Sequence, residues 1–296
     1  MKKSPLKTHE FYRERVNSQL NLFLSSIQST SSLENRLNDI MKYSALAGGK
    51  RFRPILTYTV ASLYDVAIEK VDSCACAIEL IHIYSLIHDD LPAMDDDDIR
   101  HNQPTSHKVF GEAQAILSGD GLQALAFQVI CNDSRLNDET KVKLLSLLSE
   151  SSYKMAEGQS IDLSIVSQKV DIGLLNDMHQ KKTGALLSCA INFGAMLNET
   201  SDKDLSVLDE FSDKIGLAYQ VQDDVLDVTT SDDILGKRQN SDSTKNKPSY
   251  PSIIGVDESI RVFKELYQGA LDELSLLSVD GSPLREITRE LMSRSY

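Results

Sequence analysis

Asp89-Asp90-Leu91-Pro92-Ala93-Met94-Asp95-Asp96-Asp97-Asp98 places six carboxylates in ten residues, directly after the apolar run Leu80-Ile81-His82-Ile83-Tyr84-Ser85-Leu86-Ile87. An acid run on a solvated loop is common and needs no special partner. Acids at the end of a helix that reads as buried do need one. Two carboxylates about 4 Å apart repel by roughly 4 kcal/mol at an effective dielectric near 20. A divalent cation is the economical way to offset that. A second cluster, Asp223-Asp224-Val225-Leu226-Asp227, follows 134 residues later (223 − 89), again inside an apolar segment.

Working outward, the helix ending at the first cluster runs from about Asp72 to Leu91 and is apolar nearly all round its centre, which marks it as buried. His82 and Asp89 are seven residues apart, about 700° of helical rotation and about 10.5 Å of rise, so they share a face. A lone histidine on such a face is commonly a satisfied core residue; alignment with the acids gives it a second reading. Asp89 and Asp95, six apart, would point away from each other on a continuous helix. Pro92 disfavours regular helix there, so the chain can bulge and return Asp95 to the side of Asp89. Arg100 and His101 then offer an anion contact.

The second cluster has simpler geometry. Asp223 and Asp227 are four apart and project from one helix face, with Gln220 three residues earlier on that face. Ile215, Leu217, Ala218, Val221 and Val225 make a freely solvated helix a poor description of this segment.

All seven prolines lie outside residues 105–247, so none falls between Pro104 and Pro248. Apolar residues recur there every three or four positions, the signature of consecutive helices. Alternating strand patterns and Asn-Gly or Asp-Gly hairpin signals are missing. We expect ten or more helices, over roughly 9–28, 33–47, 54–64, 72–91, 111–131, 138–157, 171–197, 202–228, 252–278 and 283–294, in one all-α domain spanning residues 1–296. The stretch from Thr229 to Pro251 is the least helical.

The composition narrows the function. With 296 residues and 41% hydrophobic content there is material for a sizeable core. A net charge of −13 argues against nonspecific nucleic-acid binding. Local cations still suit phosphate. Gly48-Gly49 stops one helix and Pro54 opens the next, with Lys50, Arg51 and Arg53 between them at a helix N-terminus. Taken alone, that segment reads as a solvated basic turn as readily as a phosphate cradle. His179-Gln180-Lys181-Lys182-Thr183-Gly184 and the basic segment Gly236-Lys237-Arg238 add further cations. The four cysteines show no metal-finger spacing. Neither a secretory signal nor a membrane-spanning run is evident, and the expectation is a cytoplasmic protein with reduced thiols.

Together these segments resemble the trans-prenyltransferase (polyprenyl diphosphate synthase) family, in its bacterial short-chain, farnesyl-diphosphate-forming type. The resemblance rests on Gly48-Gly49-Lys50-Arg51-Phe52-Arg53-Pro54, on Ile81 to Asp95, on Lys182-Thr183-Gly184-Ala185-Leu186, on Gln220 to Asp227 and on Gly236-Lys237-Arg238, in the family's order. It implies the isoprenoid synthase fold, a single-domain helical bundle around a deep central cavity, working as a homodimer with three Mg²⁺ ions. It implies Mg²⁺ ligation by Asp89, Asp95 and Asp223, with Asp90, Asp224 and Asp227 in the same motifs. Arg100, Lys182 and Lys237 match contacts to an allylic diphosphate, while Lys50, Arg53 and His82 match contacts to isopentenyl diphosphate. Thr183 and Gln220 match groups that stabilise an allylic cation. Tyr84 and Ser85, five and four residues before Asp89, match the floor that limits product length. The family's common bacterial form has a second arginine where this chain has His101, which implies weaker holding of isopentenyl diphosphate.

Other readings remain open to the residues themselves. A ten-carbon product is one, and a class I terpene cyclase is another, although its second motif mixes Asn, Ser or Thr with Glu. His88-Asp89 also suggests a His-Asp metal phosphohydrolase, whose further histidine ligands find no matching framework here. An acidic metal buffer or inactive partner subunit is a non-catalytic reading.

Overall fold

A computed structural model describes residues 5–27, 32–229 and 247–293. The described chain is almost wholly helical. In order it forms α1 Pro5–Ser25, α2 Ser32–Ala45, α3 Phe52–Leu63, α4 Ile68–Asp89, a two-stranded hairpin of β1 Ile99–Arg100 and β2 Gln103–Pro104, α5 Ser106–Phe110, α6 Glu112–Cys131 and α7 Asp138–Ser164. Then come α8 Ile172–His179, a π-helical turn Gln180–Gly184, α9 Ala185–Met196, α10 Asp202–Thr229, α11 Tyr250–Ile254, α12 Val256–Glu273 and α13 Ser282–Met292. Two compact units emerge, one of residues 1–148 with 193–198, the other of residues 149–192 with 199–296.

In the first unit α4 is the central element and packs mainly on α6 and α3. From Cys74 to Ile81 every residue of α4 is buried, as its all-round apolar sequence demands. Burial of each such Ile or Leu contributes about 1.5–3 kcal/mol. Two acids of this apolar helix are buried, and each has a cation. Asp72 receives a fork from Arg15 (Nε 2.7 Å, Nη2 2.8 Å) and the Tyr58 hydroxyl at 2.7 Å. Glu79 receives Arg51 Nη1 at 2.7 Å. By length and composition α4 could cross a membrane, but 78% of its apolar window is buried inside the protein.

In the second unit α10 lies against α12 and the π-helical turn. The close approach depends on glycine: a Cβ on Gly216 would come within 3.1 Å of Gly184 Cα, and one on Gly158 within 2.2 Å of Lys182 N. The Tyr267 hydroxyl donates to Gln222 Oε1 at 2.8 Å, and Asp204 at the start of α10 accepts from Ser278 N at 2.9 Å.

The structure departs from the sequence expectation in three places. A single helix over 252–278 is instead two, because Gly255 adopts φ 85° between α11 and α12, and α12 ends at Glu273. The helix expected over 171–197 widens into a π turn at Gln180–Gly184. The hairpin after the first cluster was not foreseen. His101 and Asn102 form its tip with φ 51° and 59°, a left-handed pair that His and Asn tolerate better than most residues.

Candidate active site

The reversal expected at Pro92 is present. α4 ends at Asp89, and the Asp95 amide donates to the Asp89 carbonyl at 2.8 Å. Met94 N and Asp96 N both bond back to Leu91 O, at 2.8 and 3.1 Å, and Asp96 takes φ 53°. This loop sets Asp89 and Asp95 side by side, which no helix could do. Asp90 points inward instead. It is 3% exposed, and its Oδ1 is held by Arg100 Nε at 2.7 Å and Nη2 at 2.6 Å. Burial raises the Asp90 carboxyl above the usual range, against the pull of Arg100.

Beyond the loop, Asp98 pairs with Lys108 at 2.6 Å, and ligand atoms of Asp96, Asp98 and His107 lie within 4.8 Å of one another. The lone-pair donors offered across this stretch are mainly carboxylate oxygens, and no thiol joins them. That set fits a hard divalent cation such as Mg²⁺.

A second group of cations gathers near the same loop. Gly48, Gly49 and Arg51 have φ of 103°, 109° and 52°, so the turn needs its two glycines. Arg51 is 4% exposed and fully engaged, binding Asn17 Oδ1, Glu79 Oε1 and Ala45 O at 2.6–2.9 Å. It shapes the turn, beside Lys50, which is exposed, and Arg53, which is half-buried. A Cβ on Gly49 would meet His101 Nε2 at 3.4 Å, so the hairpin tip lies against the glycine turn. His82 falls in this group as well. Burial first, then the positive charges of Arg53, Arg100 and Arg51, push its imidazole well below the ordinary range, so it is neutral at neutral pH. His101 is lowered too, by burial and then by Arg100 and Arg51.

Five residues before Asp89 on α4, Tyr84 is 9% exposed and meets His88 edge to face. The Ser85 hydroxyl donates to His82 O at 2.8 Å.

The second cluster sits mid-helix on α10. Asp223 is half-buried, while Asp224 and Asp227 are buried. Asp224 Oδ2 accepts from Tyr250 N at 2.9 Å and lies 3.4 Å from His179 Nε2, whose ring stacks on Tyr250. Neither ring nitrogen of His179 makes a hydrogen bond among the described residues. Thr183, on the π turn, donates to Gln220 Oε1 at 3.0 Å and thereby joins two residues that sequence spacing could not connect.

Lys182 is anchored by an acid missing from the sequence expectation. Its Nζ lies 2.7 Å from Asp162 Oδ2, and Lys247 Nζ reaches the same oxygen at 2.8 Å. Burial would raise Asp162, but the two ammonium groups outweigh it and hold the carboxyl below the usual range. One turn earlier on α7, both amide atoms of the buried Gln159 have no hydrogen-bond partner among the described residues. Asp162 carries no local signal, and the partners of His179 and Lys247 are assigned only by tertiary packing. Lys237, with Gly236 and Arg238, lies outside the described residues.

The family model described as polyprenyl synthetase matches residues 34–275. Among curated proteins, the farnesyl diphosphate synthase of Escherichia coli (strain K12) is 39% identical over 292 residues, covering 95% of this chain and 96% of that one. A solved farnesyl/geranylfarnesyl (FPP/GFPP) synthase from Zymomonas mobilis superposes with TM-score 0.86 at 32% identity, covering 98% of this chain and 100% of that one. A Helicobacter pylori geranyltransferase, solved with magnesium and isoprenyl diphosphate, gives TM-score 0.84 at 30% identity, with coverage of 99% and 97%. Matched over most of its length by family, sequence and fold, this chain belongs to the polyprenyl synthetase family of prenyltransferases.

Proposed function

We propose that this chain is a farnesyl diphosphate synthase, which condenses isopentenyl diphosphate head to tail (1′-4) with dimethylallyl or geranyl diphosphate and releases pyrophosphate. The observation that carries this reading is the folded loop that returns Asp95 to Asp89, in a chain whose full-length relatives include farnesyl diphosphate synthases. Asp89, Asp95 and Asp223 are assigned to Mg²⁺, with Asp227 alongside. Asp90 and Asp224 are assigned supporting parts, because their oxygens already engage Arg100 and the Tyr250 amide. The family's use of three such ions is carried over with them. When bound, Mg²⁺ supplies Lewis-acid stabilisation to the departing diphosphate.

The chain's own residues do the rest. Arg100 and Lys182, with Lys237, neutralise charge that builds on the leaving pyrophosphate as the allylic C–O bond breaks. Lys50, Arg53 and neutral His82 hold the diphosphate of the second substrate, with His101 beside them. The Thr183–Gln220 pair directs oxygen lone pairs at the allylic cation. The alkene of isopentenyl diphosphate attacks C1′, and a proton then leaves C2. Since no dedicated side-chain base is evident in the sequence, the released pyrophosphate is the acceptor for it. An apolar wall along α4 keeps water from the cation, and Tyr84 with Ser85 limits the tail near fifteen carbons.

We further assign the chain to the cytoplasm, as a homodimer whose two units make one prenyltransferase domain; the family match runs through both without a break. Purified protein with Mg²⁺, isopentenyl diphosphate and either primer should release pyrophosphate and yield mainly farnesyl diphosphate on chromatography. No elongation with either primer overturns this reading.

A further inference from the structure

Gly119 on α6 is buried, and a Cβ built there would lie 2.3 Å from His88 Nε2, 2.6 Å from Cδ2 and 3.1 Å from Cε1. The imidazole of His88 therefore fills the notch that the glycine leaves. Any side chain at position 119 forces the ring to shift. Inside the notch, His88 Nε2 is 3.0 Å from the carbonyl oxygen of Ile116, a contact that requires the proton on Nε2. Asp120 Oδ1 lies 3.9 Å from the same nitrogen. The ring is thus held from the α6 side by a bond and by shape. On its own helix it touches Tyr84, four residues earlier, with centroids 5.5 Å apart and planes at 86°. Edge-to-face geometry orients both rings.

We propose that His88, seated in the Gly119 notch, is the positioning residue that fixes the ring of Tyr84 and so sets the length of the product. The inference rests on the assignment of Tyr84 as the floor of the prenyl site. An aromatic floor stops a growing tail only while its ring stays across the path. The Tyr84 ring packs edge to face on His88, which occupies the notch. Emptying the notch, or evicting His88 from it, frees Tyr84 to rotate and lets the tail pass. His88 itself need not touch substrate.

The test reads product chain length at equal conversion, which a slower or less stable enzyme cannot imitate. Four variants are compared with the parent: Tyr84→Ala, His88→Ala, Gly119→Ala and the double variant His88→Ala/Gly119→Ala. His88→Ala and Gly119→Ala should each raise the share of products longer than farnesyl diphosphate by about tenfold, the scale on which pocket shape separates hydrocarbon substrates. Gly119→Ala alone should also melt earlier than the parent. The double variant relieves the clash and should regain thermal stability while still making the longer products, which separates positioning from folding. His88→Phe keeps a ring in the notch and should return the distribution towards the parent's. If Tyr84→Ala lengthens the products and neither His88→Ala nor the double variant does, the positioning inference is overturned and the floor assignment stands. If Tyr84→Ala leaves chain length unchanged, the floor assignment falls and takes this inference with it.

Discussion

The two aspartate clusters have nearly the same composition and are made by different physics. The first is a product of backbone: α4 stops, the chain turns back on itself through bonds to Asp89 O and Leu91 O, and Asp95 arrives beside Asp89. The second is a product of helical period, with Asp223 and Asp227 one turn apart on an unbroken α10. The first holds its buried member with a cation, Arg100 on Asp90. The second holds Asp224 with a main-chain amide from α11 and a stacked His179. A loop-built ligand set can adjust its spacing, whereas a helix-built one is rigid. On the function proposed above, one cluster is adaptable and the other fixed.

The comparison breaks most visibly at its acids. Asp89→Ala and Asp223→Ala should each lower kcat/KM by about three orders of magnitude or more in steady-state assays, since each removes charge stabilisation from the transition state. A large loss for one and a small loss for the other would show that the halves are unequal in function as well as in construction.

Next in size is the anchor of the second half. Asp162→Asn leaves Lys182 and Lys247 sharing no acid. Both lysines retain some solvent access, so the expected loss is about 2 kcal/mol of stability, read from the denaturant midpoint. The sign with pH follows from the lowered Asp162 carboxyl. Its contribution is complete above the ordinary aspartate value and disappears only as pH falls through the depressed one. The difference in stability between parent and variant should therefore shrink in strong acid and nowhere near neutrality.

Pro92→Ala tests the adaptable half. Releasing the restraint on the turn should raise the Mg²⁺ concentration for half-maximal activity by about fivefold, roughly 1 kcal/mol of preorganisation, while a matched exposed substitution on α10 leaves it unchanged.

The smallest effect concerns His101. It is neutral near pH 8, because burial and then Arg100 and Arg51 lower its imidazole. His101→Arg should lower KM for isopentenyl diphosphate a few-fold at pH 8, about 1 kcal/mol for one more charge on a partly exposed diphosphate contact. The gain should narrow only below the usual imidazole range, as the parent's histidine takes up its proton. An unchanged KM at pH 8 would remove His101 from the substrate site.

How much of this was legible in the sequence follows the same division. Pattern of local origin could be read: the apolar α4, the reversal at Pro92, the four-residue spacing of Asp223 and Asp227, the glycine turn before Pro54. Partners that only packing supplies could not. Nothing near Asp162 announces Lys182 and Lys247, which lie 20 and 85 residues away along the chain. Nothing near Asp224 announces the amide of Tyr250. The hairpin tip at His101-Asn102 lacks the Asn-Gly signal, and its strands are only two residues each. The break at Gly255 was hidden because a glycine inside a periodic apolar pattern reads as tolerated helix.

α4 also bears on how the protein is made. A 22-residue apolar helix is long enough to be mistaken for a membrane span as it leaves the ribosome. Asp72 and Glu79 lie within it, and at the centre of a bilayer each charge would cost about 3 kcal/mol. Their cations, Arg15 and Arg51, precede α4 in the chain, so both are already synthesised when the helix appears. α6, its largest apolar partner, comes later. The acids thus give the nascent helix a reason to stay out of lipid, and a nearby partner in water, before its core exists.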